Sequence, residues 1–400
     1  MKGRPGIAEP QELAGFDPHD AAFRSDPFPM LDRMRSECPA SWTDAYGGFW
    51  AITRYRDVLA VLRDPSNFRS GDGVVIPPLL GAGRMIPMEM DPPRHSDLRK
   101  ALAHGFSHGT VQKLESFARE TVREILDRTI EGTRCDLGTL AAVLPLRIVS
   151  SMLGISPHVE SFRRWEKAIL HRRVTDPEGG REAGESLRRY FEEEIGRRVE
   201  RSGAEPPEEP DLIDALMSCR LEGRRMSRDE LVDACCFLLL AGLDNTAFAL
   251  WAGFWYLAEH PELQEELRGE PALIPPFGEE ILRLYAPVPG LARTSARDAE
   301  LGGSRIRAGE RLYLLWAAAD RDPEEFEDPD RFVMHRPNAH LAFGSGIHRC
   351  LGAPLVRLEL RVGVEEVLGR VPQYRLQDPG TLAFRLGEAT ALPVTWGHGG

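Results

Sequence analysis

Near the C-terminus the chain concentrates residues suited to chemistry: Phe343-Gly344-Ser345-Gly346-Ile347-His348-Arg349-Cys350-Leu351-Gly352. Glycines permit a tight, sterically open loop, and Gly352 lets something flat lie close to the backbone. Cys350 stands just before an apolar-periodic stretch carrying Leu351, Leu355, Leu358 and Leu360, which places it at a helix N-terminus. The positive end of the helix dipole and its unpaired N–H groups both favour a thiolate. Such a thiolate could act as a nucleophile, a redox sensor or a metal ligand. A plain buried cysteine is the alternative, and it would not need glycines on both sides.

Other reactive spacings are weaker. Gly105-Phe106-Ser107-His108-Gly109 satisfies G-x-S-x-G, which would make Ser107 a hydrolase nucleophile if a buried strand led into it. What precedes it, RHSDLRKALAH, is charged and helix-like. His104 and His108 stand at i, i+4, but no third metal ligand lies nearby in sequence. P-loop, dinucleotide-loop and H-E-x-x-H patterns are absent. A nearly uncharged run, Ala234–Ala258, is long enough for a membrane span but carries Asp244-Asn245-Thr246 at its centre. A central Asp costs about 2.5–3.5 kcal/mol on insertion scales, so a buried core helix with a polar notch is expected.

The Phe343–Gly352 decapeptide resembles the haem-binding loop of the cytochrome P450 family, F-G-x-G-x-H-x-C-x-G. Supporting segments follow that family's order. Glu280-x-x-Arg283 resembles its E-x-x-R pair, and Pro329-Asp330-Arg331-Phe332 the segment that locks the arginine. Ala241-Gly242-Leu243-Asp244 resembles the distal helix that crosses the haem. The resemblance implies one domain over residues 1–400, with 1–20 a flexible N-terminal segment. It implies a mainly α cytochrome P450 fold with a small β region. Haem b (iron protoporphyrin IX) would be held by Cys350 as axial ligand. His95, Arg99, Arg293 and His348 would contact the propionates, Ala241 and Gly344 would line the haem, and Phe343 would shield the sulfur. Asp244, Asn245 and Thr246 would manage proton delivery, with Glu280, Arg283 and Arg331 structural. Pocket residues would be Val75, Leu79, Leu80, Met85, Leu240, Leu243, Val288, Leu291, Ala389 and Thr390.

The implied activity is insertion of one oxygen atom from O2 into a small hydrophobic substrate such as a terpenoid or secondary-metabolite precursor. Electrons would come from NAD(P)H through a ferredoxin reductase and an acidic ferredoxin docking near Arg99, Lys100 and Arg349. One position departs from the family pattern: Asn245 follows the acid where threonine is usual, and Thr246 is displaced by about 100° of helix rotation. Asn245 could orient a water or a substrate oxygen while Asp244 supplies protons. Alternatively the enzyme has abandoned hydroxylation for oxidative coupling or another reaction.

These residues need elements to hold them. Ser227-x-x-Glu230 is a capping box and Pro261 a stop, which predicts a helix about 50 Å long through Asp244. Helices are also expected over 56–63, 110–130, 139–153, 157–171, 180–201 and from about 351, with strands at Phe49–Ile52 and Arg311–Trp316. Gly71–Pro93 is a long loop rich in Val, Ile, Leu and Met, which suggests a pocket wall. Residues 202–210 read as an exposed acidic loop. The whole chain has 50 basic and 62 acidic residues, a net charge of −12 that disfavours nucleic acid as a partner. Six cysteines without C-x-x-C spacing, and a polar opening after Met1, point to free thiols in a reducing cytoplasm. No membrane partner is expected, and a monomer is.

Overall fold

A computed structural model of the chain describes residues 15–201, 210–337, 339–379 and 384–397. The capping box at Ser227 forms as expected: Ser227 Oγ accepts from Glu230 N at 3.2 Å, and Glu230 Oε2 accepts from Ser227 N at 2.8 Å. From it runs the central helix, Arg228–Glu259, and Pro261 opens the next one, Pro261–Gly269. This helix is apolar nearly all round because protein covers it on every side. Phe248, Leu250, Trp251 and Phe254 are fully buried. It is long and apolar enough to cross a membrane by composition, but it serves as the core of the domain.

Its closest neighbour is Leu137–Met152, where Gly242 faces Val149: a Cβ on Gly242 would stand 2.8 Å from Val149 Cγ2. The helices Glu115–Thr129, Ile274–Tyr285 and Ala353–Arg370 complete the core on its other sides. The helix expected over 110–130 is broken in two, His108–Lys113 and Glu115–Thr129. Leu114 N reaches back only three residues, to Val111 O, and so ends the first turn run. The 157–171 helix changes character midway. Val159–Glu166 is α-helical and Lys167–His171 is π-helical, which rotates His171 inward. The Pro177–Arg201 helix follows.

The β portion is small. A five-stranded sheet runs Ala40–Thr43, Phe49–Ile52, Arg311–Leu314, Leu291–Ser295, Phe68–Arg69 in spatial order. Only the Phe49–Ile52/Arg311–Leu314 pair is parallel. A second sheet joins Tyr374–Leu376, Pro393–Trp396 and Arg134–Asp136. Trp316, expected at the end of a strand, instead opens the short helix Trp316–Ala319.

Two expectations need amendment at the edges. Residues 1–14 of the stretch expected to be loose lie outside the described residues, but Phe16 is fully buried against Phe23 and Phe49. Its carbonyl accepts from Thr43 Oγ1 at 2.9 Å. An aromatic side chain able to enter the core pins that part of the segment. The acidic loop expected over 202–210 falls outside the described residues up to 209.

Candidate functional site

The Phe343–Gly352 loop closes on itself. Cys350 N donates to Phe343 O at 2.8 Å and Gly344 N to Leu341 O at 2.7 Å. Gly344 and Gly346 take φ of 65° and 68°, and a Cβ on Gly346 would meet Leu62 O at 2.2 Å. No other residue fits that crossing. The helix Ala353–Arg370 starts three residues after Cys350, with Gly352 as its N-cap. Burial pushes the Cys350 thiol up, while the N–H groups of Gly352 and Ala353 and the Arg99 guanidinium pull it down. Its sulfur is accessible on one side, where it faces a cavity of about 380 Å³, and protein surrounds the rest of it. Phe343 is buried, with the Arg357 guanidinium 4.7 Å from its ring centroid.

Around one wall of this cavity stand His95, Arg99, Arg293 and His348. The His95 and His348 rings are 4.2 Å apart. Both His95 nitrogens and His348 Nε2 are buried without a hydrogen-bond partner. Arg293 is 3% exposed and donates only to the carbonyl of its neighbour Ala292, at 2.7 Å; burial lowers its pKa to about 10. Burial, aided by the adjacent arginines, also holds His95 at about 4 and His348 at about 2, so both rings are neutral near pH 7. One buried guanidinium (Arg293), one half-buried guanidinium (Arg99) and two unsatisfied imidazoles around one cavity are costly alone and match a group carrying two carboxylates. Haem b would need a cysteine ligand, a sterically open loop beside it and cationic or hydrogen-bonding partners for two propionates, and the residues present fit it.

Across the cavity the central helix presents Leu240, Ala241, Asp244, Asn245 and Thr246. Asp244 Oδ1 is 2.8 Å from His171 Nε2, and Glu166 Oε1 is 3.3 Å from the same nitrogen. Burial opposes the imidazolium, but the two carboxylates outweigh it and hold His171 at about 10. Burial raises Glu166 to about 7 despite the facing histidine. The sequence reading missed His171 because nothing local marks it; only the π-helical turn aims it at a residue 73 positions away.

The apolar wall is partly as expected. Val75, Leu79, Met85, Leu240, Val288 and Leu291 line the cavity. Leu80 does not: it is 48% exposed, because consecutive residues of an extended loop point opposite ways. Leu243 lies on another face of the helix and borders a separate small pocket with Ala142, Lys167 and Ala247. Ala389 borders that small pocket too, and Thr390 packs its carbonyl against Gly138. Leu386 and Gly387, at the turn closed by Glu388 N donating to Arg385 O, take their place in the main cavity.

Glu280 and Arg283 are buried and pair at 2.8 Å, and Arg283 also donates to the carbonyls of Asp320, Pro329 and Arg331. Arg331 therefore contributes its backbone only. Its side chain is 76% exposed and pairs with Asp328 three residues back. The side chain that completes the cluster is Arg336, 2.9 Å from Glu280. Ser107 caps the His108–Lys113 helix, its Oγ accepting from Thr110 N at 3.3 Å. The helix Arg94–Ala103 precedes it rather than a strand, so the hydrolase geometry is not formed.

A cytochrome P450 family model matches residues 177–274 and 277–373. The mycinamicin IV hydroxylase/epoxidase of Micromonospora griseorubida is 36% identical over 364 residues, 87% of this chain and 89% of that protein. The nocardicin C N-oxygenase of Nocardia uniformis is 36% identical over 391 residues, covering 93% of this chain and 96% of its own length. Among solved structures, a mutant of P450 EryK in complex with erythromycin B superposes with a TM-score of 0.81 at 34% identity, covering 92% of this chain and 95% of that one.

Proposed function

This chain belongs to the cytochrome P450 family, and we propose that it oxidises a secondary-metabolite precursor with a mainly apolar body. It is a monooxygenase and its cofactor is haem b. When bound through a cysteine thiolate, haem supplies oxygen activation, since thiolate donation favours O–O cleavage. The observation that carries the reading is that Cys350 shares one cavity with the arginines Arg99 and Arg293 and with His95 and His348, whose buried ring nitrogens have no hydrogen-bond partner among the described residues.

The chain's own residues divide the work. Cys350 would hold the haem iron through its thiolate; its backbone is fixed by its N–H donating to the Phe343 carbonyl, and the Phe343 ring is buried in the same loop. Arg99 and Arg293 would neutralise the haem carboxylates, with His95 and His348 as hydrogen-bond donors. The apolar lining from Val75, Leu79, Leu240 and Val288 orients the substrate and excludes bulk water. Asp244 holds and releases protons beside the reacting centre, and His171 and Glu166 connect it to the small pocket bordered by Arg163 and Lys167. Asn245 faces the same cavity and orients a water or a substrate oxygen there.

Electrons come from NAD(P)H by way of a reductase and an acidic ferredoxin. Lys100 and Arg349 are exposed beside Arg99, whose guanidinium donates to the Arg349 carbonyl at 2.6 Å; together they form the docking face. The site of action is the cytoplasm, and the working unit a monomer. The test is spectroscopic: reduced, carbon monoxide-treated holoenzyme should give the red-shifted band of thiolate-ligated haem, and Cys350→Ala should abolish it. A full band in the variant would overturn the reading. Charge reversal at Lys100 should slow haem reduction by reduced ferredoxin and flatten its salt dependence; unchanged rates would remove the docking face. Asn245, where the family usually has threonine, favours a second reading, oxidative coupling or another non-hydroxylating reaction, and product analysis with labelled O2 separates it from hydroxylation.

A further inference from the structure

The same cavity extends from the Cys350 loop to a second group of charged and polar residues: His19, Arg24, Arg173 and Tyr313. No hydrogen bond or ion pair joins Arg24 or Arg173 to the haem-carboxylate cluster among the described residues. Arg24 is already balanced. It stands 3.6 Å from Glu388 and donates to the Leu386 carbonyl at 3.3 Å. His171 is balanced by Asp244.

Among the described residues Arg173 has no such partner. Its Nη1 donates to the Leu170 carbonyl at the end of the π-helical turn, and its Nε is buried with no acceptor at all. Nη2 lies 3.3 Å from His19 Nε2, but that nitrogen is 2.6 Å from the Ile76 carbonyl, a contact only an N–H can make. His19 is therefore a donor there and cannot accept from Arg173. The remaining groups felt by this guanidinium are Tyr313, Tyr46, Arg24 and, more weakly, Asp244, which His171 already engages. Burial lowers the Arg173 pKa, and the nearby Arg24 adds to the cost of keeping it charged.

A buried guanidinium whose Nε has no acceptor is expensive to keep charged unless an anion completes it. Its planar fork matches a carboxylate in two parallel hydrogen bonds. We propose that the cavity takes an amphiphilic monocarboxylate, its carboxylate received by Arg173 beside Arg24 and its apolar body laid over Leu79, Leu240 and Val288 towards Cys350. One surplus positive charge corresponds to a monoanion rather than to a phosphomonoester. The proposal rests on the monooxygenase reading and names the substrate class of that same cavity.

The test uses ferric holoenzyme and the spin-state change of its absorption spectrum. Dodecanoate and hexadecanoate are each titrated against their methyl esters, which keep the apolar body and remove the charge. Each acid is expected to bind about tenfold or more tighter than its ester, the worth of a charge-assisted pair. Arg173→Gln should erase that preference while leaving ester affinity in place, and Arg173→Lys should restore part of it. Should Arg173→Gln fail to take up haem, Arg24→Gln is expected to weaken the acids alone. Esters binding as well as acids to the unmodified enzyme, no response to either, or an undiminished preference in Arg173→Gln would each overturn the proposal. The ferrous-carbonyl band of the same preparations separates this failure from failure of the haem-thiolate reading, because only the latter abolishes the band.

Discussion

Removing the imidazole between Asp244 and Glu166 gives a prediction with a magnitude and a pH signature. His171 and its two carboxylate partners are at most 15% exposed, so His171→Gln leaves two acids facing each other with no cation between them. Breaking such a buried pair costs about 3–5 kcal/mol; the partial exposure here brings the expectation to about 3 kcal/mol at pH 7. For 400 residues the unfolding entropy is about 0.8 kcal/mol/K, so the melting temperature should fall by about 3–4 °C. The pH dependence follows from the upward shift of His171 from 6.5 to about 10. A base raised in the folded state stabilises fully below its unfolded pKa, and that contribution is lost as pH rises through the folded value. The gap between wild type and His171→Gln should therefore be widest near pH 6 and nearly close by pH 10. Calorimetry of both proteins from pH 6 to 10 measures it. A constant gap would show that the variant loses packing rather than an ion pair, and would refute the reasoning.

Three further outcomes are expected. Arg336→Ala should destabilise by about 2–3 kcal/mol, because it removes a buried partner of Glu280, whereas Arg331→Ala should cost under about 0.5 kcal/mol, its side chain being exposed; chemical denaturation distinguishes them. Gly242→Ala should cost about 1–2 kcal/mol, since its Cβ meets the stiff Val149 side chain at 2.8 Å, and haem retention on heating reports it. Asn245→Ala should lower the fraction of reducing equivalents recovered in product about fivefold, the worth of one hydrogen bond at about 1 kcal/mol; unchanged coupling of NAD(P)H use to product would remove Asn245 from proton management.

Much of the site was legible along the chain because its parts are local. The glycines, cysteine and helix start of 343–352 lie within one turn-forming segment, and loop geometry there depends on neighbours in sequence. The central helix was equally readable, from a capping box at one end and a proline at the other. Pocket assignments fared less evenly. Val75 and Leu79 face inward while Leu80 faces out, and Leu386 and Gly387 replace Ala389 and Thr390, since a shift of one or a few residues in irregular chain redirects every side chain.

Residue types and spacing thus determined the thiolate loop, the acid-bearing helix and the mainly helical architecture. Which side chains complete those elements was decided by folding alone. Arg336 displaces Arg331 at Glu280, His171 reaches Asp244 from another helix, and Arg173 meets the cavity beside Arg24 from near the N-terminus. Periodicity reports how a segment turns about its own axis. Contacts between distant segments depend on how whole helices pack, a property that no single window of the chain contains.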